Sequence, residues 1–460
     1  MELIKPCIYK FGGTSLATAD NISRVVDIIA GSEGPLVVVT SALGGVTNLL
    51  VSGPQDDLGW LGIIDSLRRR HLEVAGGLGL AAAAHDDFRK HLEATLSDLK
   101  SLPIDPTGQD RDLALSVGER LSTYLVAAVL SERATQAAYI DSRQLLRTDS
   151  HWGSARVDLD RTKTLVSEQL EPLLKGGTIP MVTGFLGSTE NGETTTIGRN
   201  GSDMTATILG ACLQSDEVWI WTDVDGIFTA DPRHYEDARL LPEISYREAA
   251  EAAYFGAAVI HPHTLWPLLE TDTAVRIKNT FDPLLEGTLI CRHPRRRGST
   301  LLTTSVDGIA LVTVGGYGMV GVPGIAATIF SAVQAAGTSV LMISQSSSEH
   351  NISFAIKDDE VERTVEALDR VLADWIRLDH RIDRIRVMSQ VSIITVVGEN
   401  MKGRLGIAGK IFSALGHERI SVIAIAQGSS EYSISMVVKS DDSRRAIRAV
   451  HSELDVNNGS

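Results

Sequence analysis

Cysteine is scarce in this 460-residue chain: Cys7, Cys212 and Cys291 lie far apart and never in Cys-x-x-Cys spacing. That excludes a disulfide framework and a thiolate metal site, and leaves three core or bystander thiols. Positive charge is also short. With 43 basic against 58 acidic side chains the formal charge is -15, so no general attraction to a phosphate backbone or anionic lipid is available. Neither nucleic acid nor membrane is expected as a partner. No apolar run approaches the roughly 20 residues of a membrane helix, and residues 1–9 carry neither a basic leader nor a cleavable apolar stretch. A cytoplasmic location is the expectation. What the chain does have is apolar material for two or three packed domains, with 43% of residues hydrophobic and 22% charged.

Up to about Arg295, short β-branched runs alternate with longer amphipathic segments, the pattern of an α/β domain around a largely parallel sheet covered by helices. Strands are expected at residues 7–10, 36–40, 178–183 and 217–222, continuous apolar runs that end in polar or Gly-rich residues. A first helix is marked by Ile22, Val25, Val26 and Ile29 at helical spacing, with Asp20 or Asn21 placed to start it. Residues 50–110, rich in Ala, Leu and charge, read as a helical insertion or cap without obvious chemistry. The basic stretch at 294–299 marks a boundary between domains 1–298 and 299–460. Beyond it the chain repeats itself without a gap: GIAATIFSA from Gly324 and QSSSEHNIS from Gln345 match GIAGKIFSA from Gly406 and QGSSEYSIS from Gln427. Two copies of a small α+β module follow, each with a helix that carries Ile and Phe on its core face. Such a pair suits binding of something small at a shared surface; a duplicated dimerisation module without a ligand fits the repeat equally well.

The strongest local element is Tyr9-Lys10-Phe11-Gly12-Gly13-Thr14-Ser15, where a strand passes into the first helix. Glycines let backbone N–H groups approach an anion, the helix N-terminus adds partial positive charge, and Lys10 reaches the same anion. The segment is neither a G-x-x-x-x-G-K-[ST] nor a G-x-G-x-x-G loop, and a tight connection is its bland reading. Residues 40–48 repeat this logic, with Ser41 and Thr47 at a carboxyl edge of the kind where open α/β sheets bind ligands. In Gly198-Arg199-Asn200-Gly201-Ser202-Asp203, Arg199 can pair bidentately with a carboxylate or phosphate. Ser202 and Asp203 either cap the helix that follows or, for Asp203, receive a substrate ammonium or organise a metal–nucleotide complex. Glu119, alone in an expected helix, belongs by default on a solvated face. Asp223-Val224-Asp225-Gly226 lacks the third acidic ligand and terminal Glu of a calcium loop. Thr222 and Asp223 are better placed to meet a nucleotide base or ribose, with Arg233 near the phosphates. His261 and His263 have no third ligand at a matching spacing, so no metal site is assigned.

Taken together, KFGGTS at 10–15, SVGERLS at 116–122, GRNGSD at 198–203 and TDVDGIFTADPR at 222–233 resemble the aspartate kinase family of the amino-acid kinase superfamily. The repeat resembles the paired ACT modules of those enzymes, so the likeness covers essentially the whole chain. GRNGSD and the Gln-x-Ser-Ser-Glu turns look most like the kinase part of threonine-sensitive aspartokinase/homoserine dehydrogenases, although a chain ending at Ser460 leaves no room for a dehydrogenase and implies a monofunctional kinase. A further departure is Ala258, where family members often carry Lys; a backbone contact to the base would survive it.

The resemblance implies an activity and roles. MgATP would phosphorylate the side-chain carboxylate of L-aspartate to 4-phospho-L-aspartate, the first step towards lysine, threonine and methionine. Lys10, Gly12 and Gly13 would hold the transferring phosphate, with Ser41 and Thr47 close by. Arg199 would take the α-carboxylate, Glu119 and Asp203 the ammonium, and Phe185 and Ser202 would line the pocket. Thr222, Asp223, Phe228, Arg233 and Ala258 would bind ATP, whose phosphates carry the Mg2+. A Glu waiting for an ammonium could reject an N-acylated substrate by about 10^4 or more, whereas one extra methylene is worth only about 10 to 200-fold. Gln345 and Gln427, at equivalent repeat positions, would bind threonine, with lysine as the rival effector. A homodimer through the ACT modules, or a tetramer, is implied. Another amino-acid or carbamate kinase of the same fold is one alternative; a non-catalytic amino-acid sensor, supported only by Ala258, is another.

Overall fold

The computed structural model describes residues 5–54, 59–133, 135–257, 259–295, 301–346, 350–377 and 382–456, so most of the 294–299 stretch and Ala258 lie outside the described residues. Two compact units are present. The first comprises residues up to 227 together with 240–246 and 259–295; the second comprises 228–239, 247–258 and the chain from 296 onward.

The strands of the first unit are β1 (Cys7–Phe11), β2 (Leu36–Thr40), β3 (Ala137–Ile140), β4 (Ile179–Thr183), the hairpin β5 (Leu186–Ser188) and β6 (Thr194–Thr196), β7 (Glu217–Thr222), β8 (Glu243–Ser245), β9 (Ala274–Asn279) and β10 (Thr288–Cys291). All but the hairpin form one sheet in the order β3-β4-β2-β1-β7-β9-β10-β8. Every pairing in it is parallel except β9 with β10. β2 reads Leu-Val-Val-Val-Thr and is buried throughout, as a parallel strand covered on both faces must be.

Its helices are α1 (Ala19–Ala30), α2 (Val46–Ser52), α3 (Trp60–Gly77), α4 (Ala82–Ser97), α5 (Gly108–Glu132), α6 (Leu159–Lys175), α7 (Gly201–Leu213), α8 (Tyr246–Tyr254) and α9 (Pro262–Leu265). From Arg247 onward α8 belongs to the second unit. Ile22, Val25, Val26 and Ile29 of α1 are all buried, but the helix starts earlier than expected. Thr18 is its cap, accepting the Asn21 N–H at 3.2 Å, and a 3-10 turn at Thr14–Leu16 separates it from β1. The helical region at 50–110 packs into the main core, where Trp60, Leu67, Phe88 and Leu92 share a cluster with Tyr9 and Val38. By length and composition alone α5 would suffice to cross a membrane, although Asp112, Glu119 and Arg120 interrupt its apolar sequence. It is a core helix, with 78% of its most apolar window buried.

The second unit contains β11 (Leu302–Gly315), β12 (Met342–Gln345), β13 (Asn351–Lys357), β14 (Arg384–Val397), β15 (Ala424–Gln427) and β16 (Ser433–Lys439), with α10 (Ile325–Ala335), α11 (Val361–Arg377), α12 (Ile407–His417) and α13 (Ser443–Val456). Its six strands form an antiparallel sheet in the order β12-β13-β11-β14-β16-β15. The repeat is visible in the backbone: Gly324 and Gly406 open α10 and α12 at φ 90° and 88°, both with ψ -8°. A φ near 90° is one that glycine adopts without steric cost. Each copy is longer than the sequence match, since a strand precedes the helix and a second helix closes the unit. Ile329 and Ile411 are fully buried, and Phe330 and Phe412, partly buried, pack against the same clusters, as expected for the core face.

Candidate active site

Because β1, β2, β4 and β7 are parallel, their carboxyl ends bring Gly12, Ser41, Gly184 and Thr222 to one edge of the sheet. A cavity of about 930 Å3 opens there, within the first unit. Lys10 lines it from β1 and Arg199 from the segment that enters α7, so the two cations share one cleft. Lys10 is only 9% exposed and its Nζ stands 2.6 Å from Asp203 Oδ1.

Glycine is needed here for close approach. A Cβ on Gly13 would stand 3.1 Å from the Ala42 carbonyl, and one on Gly44 2.9 Å from the Gly13 carbonyl. The loops after β1 and β2 are therefore pressed backbone to backbone, and Gly13, Ser41, Gly44 and Thr47 all line the cavity. A Cβ on Gly12 would sit 3.3 Å from Lys10 Nζ and crowd the ammonium. The Arg70 guanidinium donates to the Gly44 carbonyl, so the 50–110 region does contribute to the site.

α5 forms a wall. Gly118 meets Ala42 and Val46, and Ser122 Oγ donates to the Ser41 carbonyl at 2.6 Å. This places Glu119 inside, 3% exposed, against the expectation of a solvated face. Burial pushes its carboxyl up to about 8; the backbone N–H of Ala42 only partly offsets that, and Oε2 has no hydrogen-bond partner. A cation beside that oxygen would favour the ionised form and lower its pKa again.

The opposite wall is built from β4 and α7. Phe185 adopts φ 70°, unusual for a bulky residue, and its N–H donates to Thr205 Oγ1 at 2.9 Å. Gly184 and Ser202 are so close that a Cβ on the glycine would stand 2.5 Å from the serine side chain. The cap of α7 is Asn200, in the left-handed region at φ 55°, without a side-chain capping bond. Ser202 and Asp203 are thus not its caps; they lie in its first turn, facing the cavity, where the helix end favours an anion.

Sequence reasoning missed Asp112. It is fully buried on α5, two turns before Glu119, and accepts from Thr196 N at 2.7 Å, Thr196 Oγ1 at 2.9 Å and Gly153 N at 2.9 Å. Burial raises its carboxyl above the usual range, against those three hydrogen bonds. It fastens to α5 the hairpin strand that leads into Arg199.

Thr222 and Asp223 end β7 beside β1 without lining the cavity; Thr222 Oγ1 donates to Asp223 at 3.2 Å. Phe228 and Arg233 fall in the second unit, where the exposed Arg233 guanidinium pairs with Asp231 at 2.8 Å. His261 Nδ1 accepts the His263 N–H at 3.3 Å and caps α9. Gln345 and Gln427 are exposed at the ends of the two edge strands, β12 and β15. Those edges meet, since Ser344 Oγ donates to the Ile425 carbonyl at 3.0 Å.

The amino acid kinase family matches residues 5–279, and the ACT domain matches residues 312–372 and 394–454. The chain is 36% identical to the bifunctional aspartokinase/homoserine dehydrogenase 1, chloroplastic, of Zea mays over 97% of its own length, and spans about half the length of the bifunctional relatives it matches. It is 31% identical to the lysine-sensitive aspartokinase 3 of Escherichia coli, covering 97% of this chain and 98% of that one. Among solved structures, E. coli aspartokinase III in complex with aspartate and ADP superposes with a TM-score of 0.80 at 29% identity, over 98% of this chain and 100% of that one. The complex of the same enzyme with lysine and aspartate gives 0.83 at 30%, over 98% and 99%. With both parts matched in order along its length, the chain belongs to the amino acid kinase family and, within it, to the aspartokinases that carry paired ACT domains.

Proposed function

We propose that this chain transfers the terminal phosphoryl group of MgATP to the side-chain carboxylate of L-aspartate. The reading is carried by one observation: a buried carboxylate with a bare oxygen, Glu119, shares a cavity with Arg199 and Lys10. Glu119 receives the substrate ammonium and Arg199 the α-carboxylate, which leaves the β-carboxylate directed at the phosphate cradle of Lys10, Gly12 and Gly13. Ser41, Thr47, Phe185 and Ser202 complete the pocket. Asp203 holds Lys10 in place and shares the ammonium.

The substrate carboxylate attacks the γ-phosphorus directly and ADP leaves. No covalent enzyme intermediate is needed, because the nucleophile is already ionised and phosphoryl transfer depends on positioning and charge stabilisation. Lys10 and the N–H groups of the 12–13 turn neutralise the charge that develops. Mg2+ travels on the nucleotide phosphates. Thr222 and Asp223, at the carboxyl end of β7, take the nucleoside end.

Residues 1–298 act as the catalytic part and 299–460 as the regulatory part. Threonine, or lysine in its place, binds near Gln345 and Gln427 where β12 meets β15, and a homodimer forms through the ACT modules. The solved relative with lysine and aspartate bound supports an amino-acid effector without deciding between the two. ADP release measured with aspartate, glutamate and N-acetylglutamate, each with and without threonine or lysine, tests the reading. Aspartate alone is expected to support turnover, and turnover on acetylglutamate instead would overturn the assignment.

A further inference from the structure

A second cavity, of about 310 Å3, lies in the second unit beside the first ACT module, and the repeat itself shows what such a place is built to hold. Its lining includes Tyr317, His350, Asn351, Asp383, Arg384 and Arg386. Tyr317, His350 and Asn351 correspond, 82 residues on, to Glu399, Tyr432 and Ser433 of the second copy. There the equivalent cleft is filled from within the unit by α8. Glu248 accepts the Glu399 N–H at 2.9 Å, Glu251 accepts from Ser433 Oγ at 2.9 Å, and the Arg247 guanidinium lies over the Tyr432 ring and donates to its hydroxyl at 2.7 Å. Two carboxylates from one helix face occupy the second copy.

The first copy differs on the strand that borders the cleft. Arg384 pairs with Gly315 and Arg386 with Thr313, where the second copy pairs Leu302 with Val397 and Thr304 with Thr395. Residues two apart on a strand share a face, so both guanidinium groups stand on one side. Among the described residues Asp383 is the only carboxylate in the lining, against two arginines, in a chain whose formal charge is -15. The His350 Nδ1 atom is buried there without a hydrogen-bond partner. We propose that this cleft binds a small dicarboxylate, its two carboxylates paired with Arg384 and Arg386 in the place that Glu248 and Glu251 fill in the second copy. Guanidinium–carboxylate pairs are the strong, geometrically specific form of such contacts. The volume admits a small metabolite and is at the low end for a ligand pocket.

Succinate titrated calorimetrically into the full chain tests this, since it carries two carboxylates and no ammonium. Binding in the active-site cavity is removed by an Arg199→Ala background. One succinate per chain is expected to bind in that background, and to bind at least about tenfold more weakly when Arg384→Gln and Arg386→Gln are added. Should the glutamine pair lower the melting temperature, the Arg384→Lys and Arg386→Lys pair keeps the charge and is expected to weaken succinate by several-fold. No binding in the Arg199→Ala chain, unchanged binding in both pairs, or displacement by an equal concentration of inorganic phosphate would each overturn the proposal.

Discussion

Glu119 shows how burial and function oppose each other in one side chain. Its carboxyl is pushed from 4.5 to about 8 by desolvation, so the folded chain retains a proton that the unfolded chain releases between those values. Stability therefore falls as pH rises across that window, because the folded state is the one binding more protons. Glu119→Gln removes the effect: its melting temperature should gain on the native chain progressively from pH 5 to pH 8.5, while its KM for aspartate rises by about tenfold or more for want of a charged partner. Parallel melting curves across that range would show that the group is not held neutral. Only the ionised form attracts an ammonium, so the native KM for aspartate should fall as pH approaches 8. Its local surroundings in the sequence pointed to a solvated face and only the family likeness of SVGERLS put Glu119 in the site, because nothing local reveals that the 42–46 loop covers it. Asp112 was invisible for a related reason. Its partners Gly153 and Thr196 are 41 and 84 residues away, and two of its three bonds are to backbone.

Among the elements, α5 decides the geometry of the site, and Gly118 decides how closely it sits. A Cβ there would stand 2.7 Å from Ala42 Cβ and 2.9 Å from Val46 Cγ1. Ala in a helix gains about 1 kcal/mol over Gly, but overpacking costs about 1 to 3 kcal/mol, so the clash prevails. Gly118→Ala is expected to lower stability in urea unfolding and to raise the KM for aspartate; a net stabilisation would mean that the loop yields freely. Asp112→Ala leaves the N–H groups of Gly153 and Thr196 without their acceptor and is expected to cost about 1 to 3 kcal/mol. Because it loosens the strand leading to Arg199, the KM for aspartate should rise while that for ATP stays put, and equal changes in both would assign it a purely structural role. The strands β2 and β7 and the core face of α1 were legible, since each is a continuous or periodic apolar pattern. The β5–β6 hairpin was not, because its strands are three residues each and largely Thr, Gly and Ser.

At the scale of the whole chain, the order of motifs was readable and the division into units was only partly so. Residues 228–239 and 247–258 sit in the second unit through partners far along the chain. Tyr235 Oη donates to the Arg444 carbonyl at 3.1 Å, and Thr229 Oγ1 lies 2.8 Å from His451 Nε2. No local pattern announces such long-range burial. The two copies of the ACT unit were legible as a repeat, yet their difference, a cleft filled by α8 in one and lined by arginines in the other, needed the fold. The central claim is that the β-carboxylate of aspartate meets the terminal phosphoryl of ATP beside Lys10. Trapping the product with hydroxylamine tests it most directly, because an acyl phosphate is converted to a hydroxamate. Aspartyl hydroxamate should form with the native chain only when ATP and aspartate are both present, and should fall by about 10^2-fold or more in turnover for Lys10→Ala. Hydroxamate absent from the native reaction, or formed at the native rate by Lys10→Ala, would contradict the account.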